Sequence, residues 1–77
     1  MPREVVVYTR AGCHLCDEAQ AVLAEHGVPF RLVDIDADVA LLDRYAACVP
    51  VVEIDGIERF RGRVEPLLLR RLLAAEG

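Results

Sequence analysis

"TRAGCHLCDEAQ", residues 9–20, is the segment whose reading decides the fold. Before it, Glu4 to Tyr8 reads as a strand whose valines fill both faces, the pattern of a strand central in its sheet. After it, apolar residues recur at Leu15, Ala19, Val22 and Leu23, a helical spacing that continues to about His26. Asp17 and Glu18 suit the first turn of that helix, Gly27 suits its C-terminal cap, and Pro29 closes the following turn. Gly12 breaks the strand, so Cys13 stands where strand hands over to helix.

That placement has chemical content. Disulfide exchange needs a thiolate, and a free cysteine with a pKa near ~8.5 is mostly protonated at neutral pH. The unpaired N–H groups and dipole of a helix N-terminus stabilise the anion. Two intervening residues let the first helical turn bring Cys16 back beside Cys13, so that one thiol attacks and the other resolves the mixed disulfide. Cys13 is expected to be exposed and Cys16 to face inward.

Bulk properties narrow the class. The chain of 77 residues is expected to form a single domain, 1–77, that buries only about 60% of its unfolded surface. It is 55% hydrophobic and 29% charged, well away from disordered compositions. No apolar run reaches membrane-span length, and because "MPREVVVY" enters a strand at once, no signal peptide is expected. Three cysteines, an odd count, fit a reducing compartment better than a disulfide framework, so the expected location is cytoplasmic. A net charge of −4 argues against nonspecific nucleic-acid binding. Neither nucleic acid nor membrane is an expected partner, and a monomer is expected.

Beyond the first helix, Phe30 to Ile35 reads as a second strand, and Asp36 or Asp38 caps a short helix carrying Val39, Leu42 and Tyr45. Val51 to Ile54 is a third strand, Asp55-Gly56 a two-residue hairpin turn, and Ile57 to about Arg61 a fourth strand. Pro66 opens a last helix with Leu68, Leu69, Leu72 and Leu73 toward the core. The order is βαβαββα.

A C-x-x-C between first strand and first helix, followed by X-Pro before the third strand, resembles the thioredoxin superfamily. Within it, "VVVYTRAGCHLCDEA", "VPVVEIDG" and "FRGRVEP" resemble short bacterial glutaredoxin-like proteins. The resemblance implies an α/β thioredoxin/glutaredoxin fold: a four-stranded mixed sheet flanked by helices. It also implies a thiol-disulfide oxidoreductase using Cys13 and Cys16. Val49-Pro50 is then the cis-proline segment whose backbone pairs with substrate. Arg10 stands where glutaredoxins often carry a lysine that binds the glycyl carboxylate of glutathione.

Several positions depart from the glutaredoxin pattern. His14-Leu15 replaces Pro-Tyr, and a protonated His14 favours the thiolate while Asp17 and Glu18 oppose it. The Gly-Gly pair and following acid that hold the glutamyl end of glutathione are not intact, since Gly62 is followed by Arg63. No bound cofactor is expected. The electron donor is a low-molecular-weight thiol such as glutathione or a thioredoxin-type reductase. The partners are disulfide-containing proteins or small-thiol mixed disulfides.

Two rival readings stay open at this level. Cys13, Cys16, Cys48 and His14 or His26 can supply zinc ligands, or the cysteines an iron–sulfur cluster. A non-catalytic binding module on the same fold is the other. Arg59, Arg61 and Arg63 alternate, so they are expected to share one face of an edge strand, where charge discourages edge-to-edge pairing. Arg63, closest to the expected substrate groove, is the exception, and with Arg10, His14, Val49, Pro50 and Gly62 it is an expected substrate- or thiol-binding residue. Cys48 stands two residues before Pro50, in the loop expected to face the Cys13–Cys16 pair, and is read as a small hydrophobe without redox chemistry.

Overall fold

Three consecutive valines set the centre of the molecule. In the computed structural model, which describes residues 4–45 and 48–76, Val5, Val6 and Val7 of strand β1 (Val5–Thr9) are all buried. β1 pairs on one side with β2 (Arg31–Asp34) in parallel and on the other with β3 (Val51–Ile54) antiparallel. β4 (Ile57–Arg61) closes the four-stranded mixed sheet, whose order is β2-β1-β3-β4. Helices α1 (His14–Glu25), α2 (Val39–Tyr45) and α3 (Pro66–Glu76) complete the βαβαββα order. This is the thioredoxin-like fold.

The strand period divides the core between the two sheet faces. On one face Val5, Val7, Val52, Ile54 and Phe60 pack with Ala19 and Leu23 of α1 and Leu69 of α3. On the other face a smaller cluster joins Val51 to Ile35 and Tyr45, with Tyr8, Leu41 and Leu42 against it. There Glu53 accepts hydrogen bonds from the hydroxyls of Tyr8 (3.0 Å) and Tyr45 (3.4 Å), which ties α2 to the sheet.

Turn chemistry fixes the boundaries. α1 ends in a Schellman motif: Gly27 N–H donates to Ala24 O and Val28 N–H to Leu23 O, both at 3.0 Å, with Gly27 at φ 67°. Val28 and Leu23 are buried together beneath it. The Asp55-Gly56 turn has φ of 53° and 82°, the positive pair a type I′ hairpin needs.

Several expectations are corrected. β2 runs over Arg31–Asp34 rather than from Phe30 to Ile35, because Asp34 Oδ1 accepts the Asp36 N–H at 2.9 Å and starts a 3-10 turn, Ile35–Ala37. Asp38 then caps α2 by accepting the N–H of Ala40. Val39 is 83% exposed and Leu68 49% exposed, so neither faces the core, whereas Leu69 is fully buried. Arg59, Arg61 and Arg63 do not share a face. A bulge opposite Val52/Glu53 makes Arg59 the extra residue, and Arg63 lies beyond the strand. The same bulge returns Arg61 to the face of Glu58, which it pairs at 2.9 Å.

Two stability effects follow. An added Cβ at Gly27 meets nothing within 4 Å, so Gly27→Ala costs only the left-handed backbone strain, about 1–2 kcal/mol by urea denaturation. The Tyr8 phenol is held above its ordinary pKa of 10.0 by burial and by Glu53. Burial likewise raises Tyr45, against Arg44 and with Glu53. Groups whose folded pKa is raised contribute fully below the unfolded value and lose that contribution as pH rises through the folded one. Stability is therefore expected to fall above about pH 10, and Tyr8→Phe and Tyr45→Phe each to flatten that fall.

Candidate functional site

The strand registers gather the site at one end of the sheet. Thr9, the last residue of β1, stands beside Asp34 in β2, and the Tyr8–Val51 pairing carries Pro50 to the position next to Thr9. Gly62 follows Arg61, the partner of Val51, and its N–H donates to Pro50 O at 2.7 Å. From this row emerge the 10–13 loop, the 3-10 turn and the segment from Gly62 to α3. The C-terminal ends of parallel strands are the usual binding edge of an open α/β sheet.

Cys13 is the N-cap of α1. Its backbone is extended, at φ −88° and ψ 106°, and its Sγ accepts the Cys16 N–H at 3.1 Å. The Cys13 N–H donates to Arg10 O at 3.3 Å, which closes the turn before the helix. Cys13 and Cys16 are joined in a disulfide, with Cα atoms 5.2 Å apart, inside the usual range of about 4.4–6.8 Å. Cys16 is 1% exposed, as expected, whereas Cys13 is half-buried rather than exposed, and it remains the more accessible residue of the two.

The other expected residues separate into groups. Val49-Pro50 is a cis peptide bond, as the resemblance implies, and Pro50 is buried. Arg10 does not reach into open space: its Nε donates to both carboxylate oxygens of Asp36, at 3.0 and 3.2 Å. His14 is largely exposed and lies 3.7 Å from Glu18. Arg63 lines a cleft of about 80 Å³ with Leu15, Glu18 and Val64 among others, and among the described residues it has no ion-pair or hydrogen-bond partner. Cys48 is half-buried against the Ile35–Tyr45 cluster, its Sγ 3.6 Å from Tyr45 O. Among the described residues no three His, Cys, Asp or Glu side chains gather as metal ligands, and no helix is long and apolar enough to cross a membrane.

Asp36, read from the sequence only as a candidate helix cap, is a part of this site that sequence reasoning did not assign to it. Asp36 lies 26 residues from Arg10, and only the parallel register of β1 with β2 makes them neighbours.

A family model described as Glutaredoxin-like domain (DUF836) matches residues 4–74. The chain belongs to this glutaredoxin-like family. Among curated proteins it is 35% identical over 66 residues to the N-acetyl-S-hydroxy-L-cysteine reductase of Bacillus subtilis, covering 79% of this chain and 71% of that one. Among solved structures, target protein XcR50 from X. campestris is 37% identical, with TM-score 0.78 over 92% of this chain and 96% of that one. Protein Ne2328 from Nitrosomonas europaea is 28% identical, with TM-score 0.81 over 94% and 92%. The glutaredoxin-like NrdH-redoxin of Escherichia coli shares the fold, at 22% identity and TM-score 0.70 over 90% and 93%. The glutaredoxin-like chain is thus an oxidoreductase in kind, with a C-x-x-C disulfide at the head of α1.

Mild oxidation tests the geometry. Peptide mapping is expected to find Cys13–Cys16 as the dominant disulfide, and Cys48→Ser to keep most exchange activity. A dominant Cys13–Cys48 bond would overturn this pairing.

Proposed function

We propose that this chain reduces sulfur–sulfur and sulfur–oxygen bonds on small cysteine-derived thiols, with Cys13 as nucleophile and Cys16 as resolving thiol. One observation carries the reading: the accessible Cys13 Sγ sits at the start of α1 and accepts the Cys16 N–H, while Cys16 lies buried one turn on. The same N–H and the helix dipole stabilise a Cys13 thiolate in the reduced protein. The reductase name of the Bacillus subtilis relative supports a small S-hydroxy or S-thiolated cysteine as substrate.

The chemistry balances in two displacements. The Cys13 thiolate attacks the sulfur of R–S–X, where X is hydroxyl or a second thiol's sulfur, and X leaves with a proton as water or thiol. Cys16 loses its proton, attacks Cys13 Sγ and releases R–S⁻. Two electrons have passed to the substrate and the protein holds the Cys13–Cys16 disulfide. A low-molecular-weight thiol such as glutathione, or a thioredoxin-type reductase, returns them, as suits a reducing cytoplasm. Pro50 and Val49 are read as the backbone edge that receives substrate, and Gly62, bonded to Pro50 O, as the residue that holds that edge in place.

Trapping tests the assignment. Reduced Cys16→Ser protein is expected to retain R–S as a stable mixed disulfide on Cys13, seen by intact mass. Wild type goes on to free R–SH and the internal disulfide, and Cys13→Ser does neither. Limiting iodoacetamide near neutral pH is expected to label Cys13 first. First labelling of Cys16 or Cys48 would reverse the roles.

A further inference from the structure

Arg10 and Asp36 meet at the end of the sheet that carries the cysteines, and their contact bears on which thiol adducts are taken. Arg10 heads the turn into α1, and its carbonyl accepts the Cys13 N–H at 3.3 Å. Its side chain crosses to the turn after β2, where Nε donates to both Asp36 carboxylate oxygens at 3.0 and 3.2 Å. Asp36 comes to this contact on a fixed backbone. Its N–H donates to Asp34 Oδ1 at 2.9 Å, inside the 3-10 turn that the Asp38 N–H closes on Ile35 O at 3.2 Å. Ile35 is fully buried, which pins that turn to the core.

That geometry decides which carboxylate holds the guanidinium. A substrate carboxylate arrives from solution, whereas Asp36 is tethered beside Arg10 at an effective concentration on the order of mM. A second carboxylate joining at the terminal nitrogens would face the Asp36 charge. Arg10 so paired offers no net charge to an incoming anion. Its neighbourhood adds acids: Asp34 stands beside Thr9 in the β1–β2 register, and Asp17 lies in the first turn of α1. Arg63, at the β4 end of the same row, has no ion-pair partner among the described residues. Of the two arginines that flank the row, one is therefore open to a substrate carboxylate and the other is engaged.

We infer, resting on the thiol-adduct reading above, that Asp36 is a specificity-determining residue: by holding Arg10 it turns the site away from adducts that carry two or more carboxylates. It touches neither cysteine through any hydrogen bond of the described residues and acts through the arginine it engages. Neutral and singly charged adducts are indifferent to the withdrawn cation, whereas a multiply anionic one meets Asp36 where it would need Arg10.

The test uses the disulfide of mercaptopropionic acid, a dicarboxylate, and its uncharged diamide as oxidants of the reduced full chain. The readout is the acid-to-amide ratio of second-order rates. It is internal to each variant, so a partly unfolded sample does not imitate the effect, and comparing variants cancels the intrinsic reactivity of the two disulfides. Asp36→Asn is isosteric and leaves the backbone bond to Asp34 in place. It is expected to raise the ratio about fivefold, the scale of an exposed ion pair of about 1 kcal/mol. In an Arg10→Gln background the same change is expected to raise it by less than about twofold, because no guanidinium is released and a lone distant charge is screened. An unchanged ratio in Asp36→Asn overturns the assignment. An equal gain in both backgrounds also overturns it, since it marks a general field of charge rather than a withdrawn arginine. Either result leaves the disulfide chemistry standing. Failure of both disulfides to oxidise Cys13 and Cys16 overturns the thiol-adduct reading itself, and the assignment with it.

Discussion

The hydrogen bond from the Cys16 N–H to Cys13 Sγ is the constraint on which the site depends. A helix begins with N–H groups that have no partner inside it, and Ser, Thr, Asp or Asn ordinarily supplies one from the N-cap. Here a cysteine sulfur takes that place, at 3.1 Å. The helix start and the reactive centre are therefore one structure. Capping by Cys13 sets the helical phase that turns Cys16 inward and lays Ala19 and Leu23 on the sheet. The packing that stabilises the fold is thus the packing that keeps one thiol accessible and the other covered.

Everything else at the site is placed by register. The parallel β1–β2 pair puts Arg10 within reach of Asp36, and the β1–β3–β4 pairing lines up Thr9, Pro50 and Gly62. The Gly62–Pro50 bond then fixes where the chain departs toward Arg63 and α3. The outcome differs for two otherwise similar arginines. Arg10 is paired with a carboxylate from the next strand connection, while Arg63, past the end of β4, has no ion-pair partner among the described residues.

The legible parts of the sequence were those governed by local rules. The valine run marked the central strand, helical spacing marked α1, Asp55-Gly56 marked the hairpin, and the cysteine spacing marked the reactive pair. For α1, the hairpin and the cysteine pair the partners lie within a few residues, so short-range sterics and capping decide them. The valine run reads as central because it is apolar on both faces, although its strand partners are distant in sequence. What was not legible depends on tertiary placement. Val39 fits a helical stripe, yet α2 is too short and too peripheral to bury it. Leu68 reads as core, but α3 presents Leu69 to the sheet instead. The bulge at Arg59 has no local mark, and it overturned the alternation expected for Arg59, Arg61 and Arg63. The Arg10–Asp36 pair joins residues from different connections and follows only from the finished sheet.

The most direct measurement of the central claim is the pH dependence of Cys13 alkylation in the fully reduced protein, followed by mass mapping. The account predicts that Cys13 reacts as a thiolate with an apparent pKa clearly below the ordinary value of about 8.5, while Cys16 stays slow across the range. An apparent pKa for Cys13 at or above that of a free cysteine would show that the helix start does not stabilise the anion, and would contradict the account.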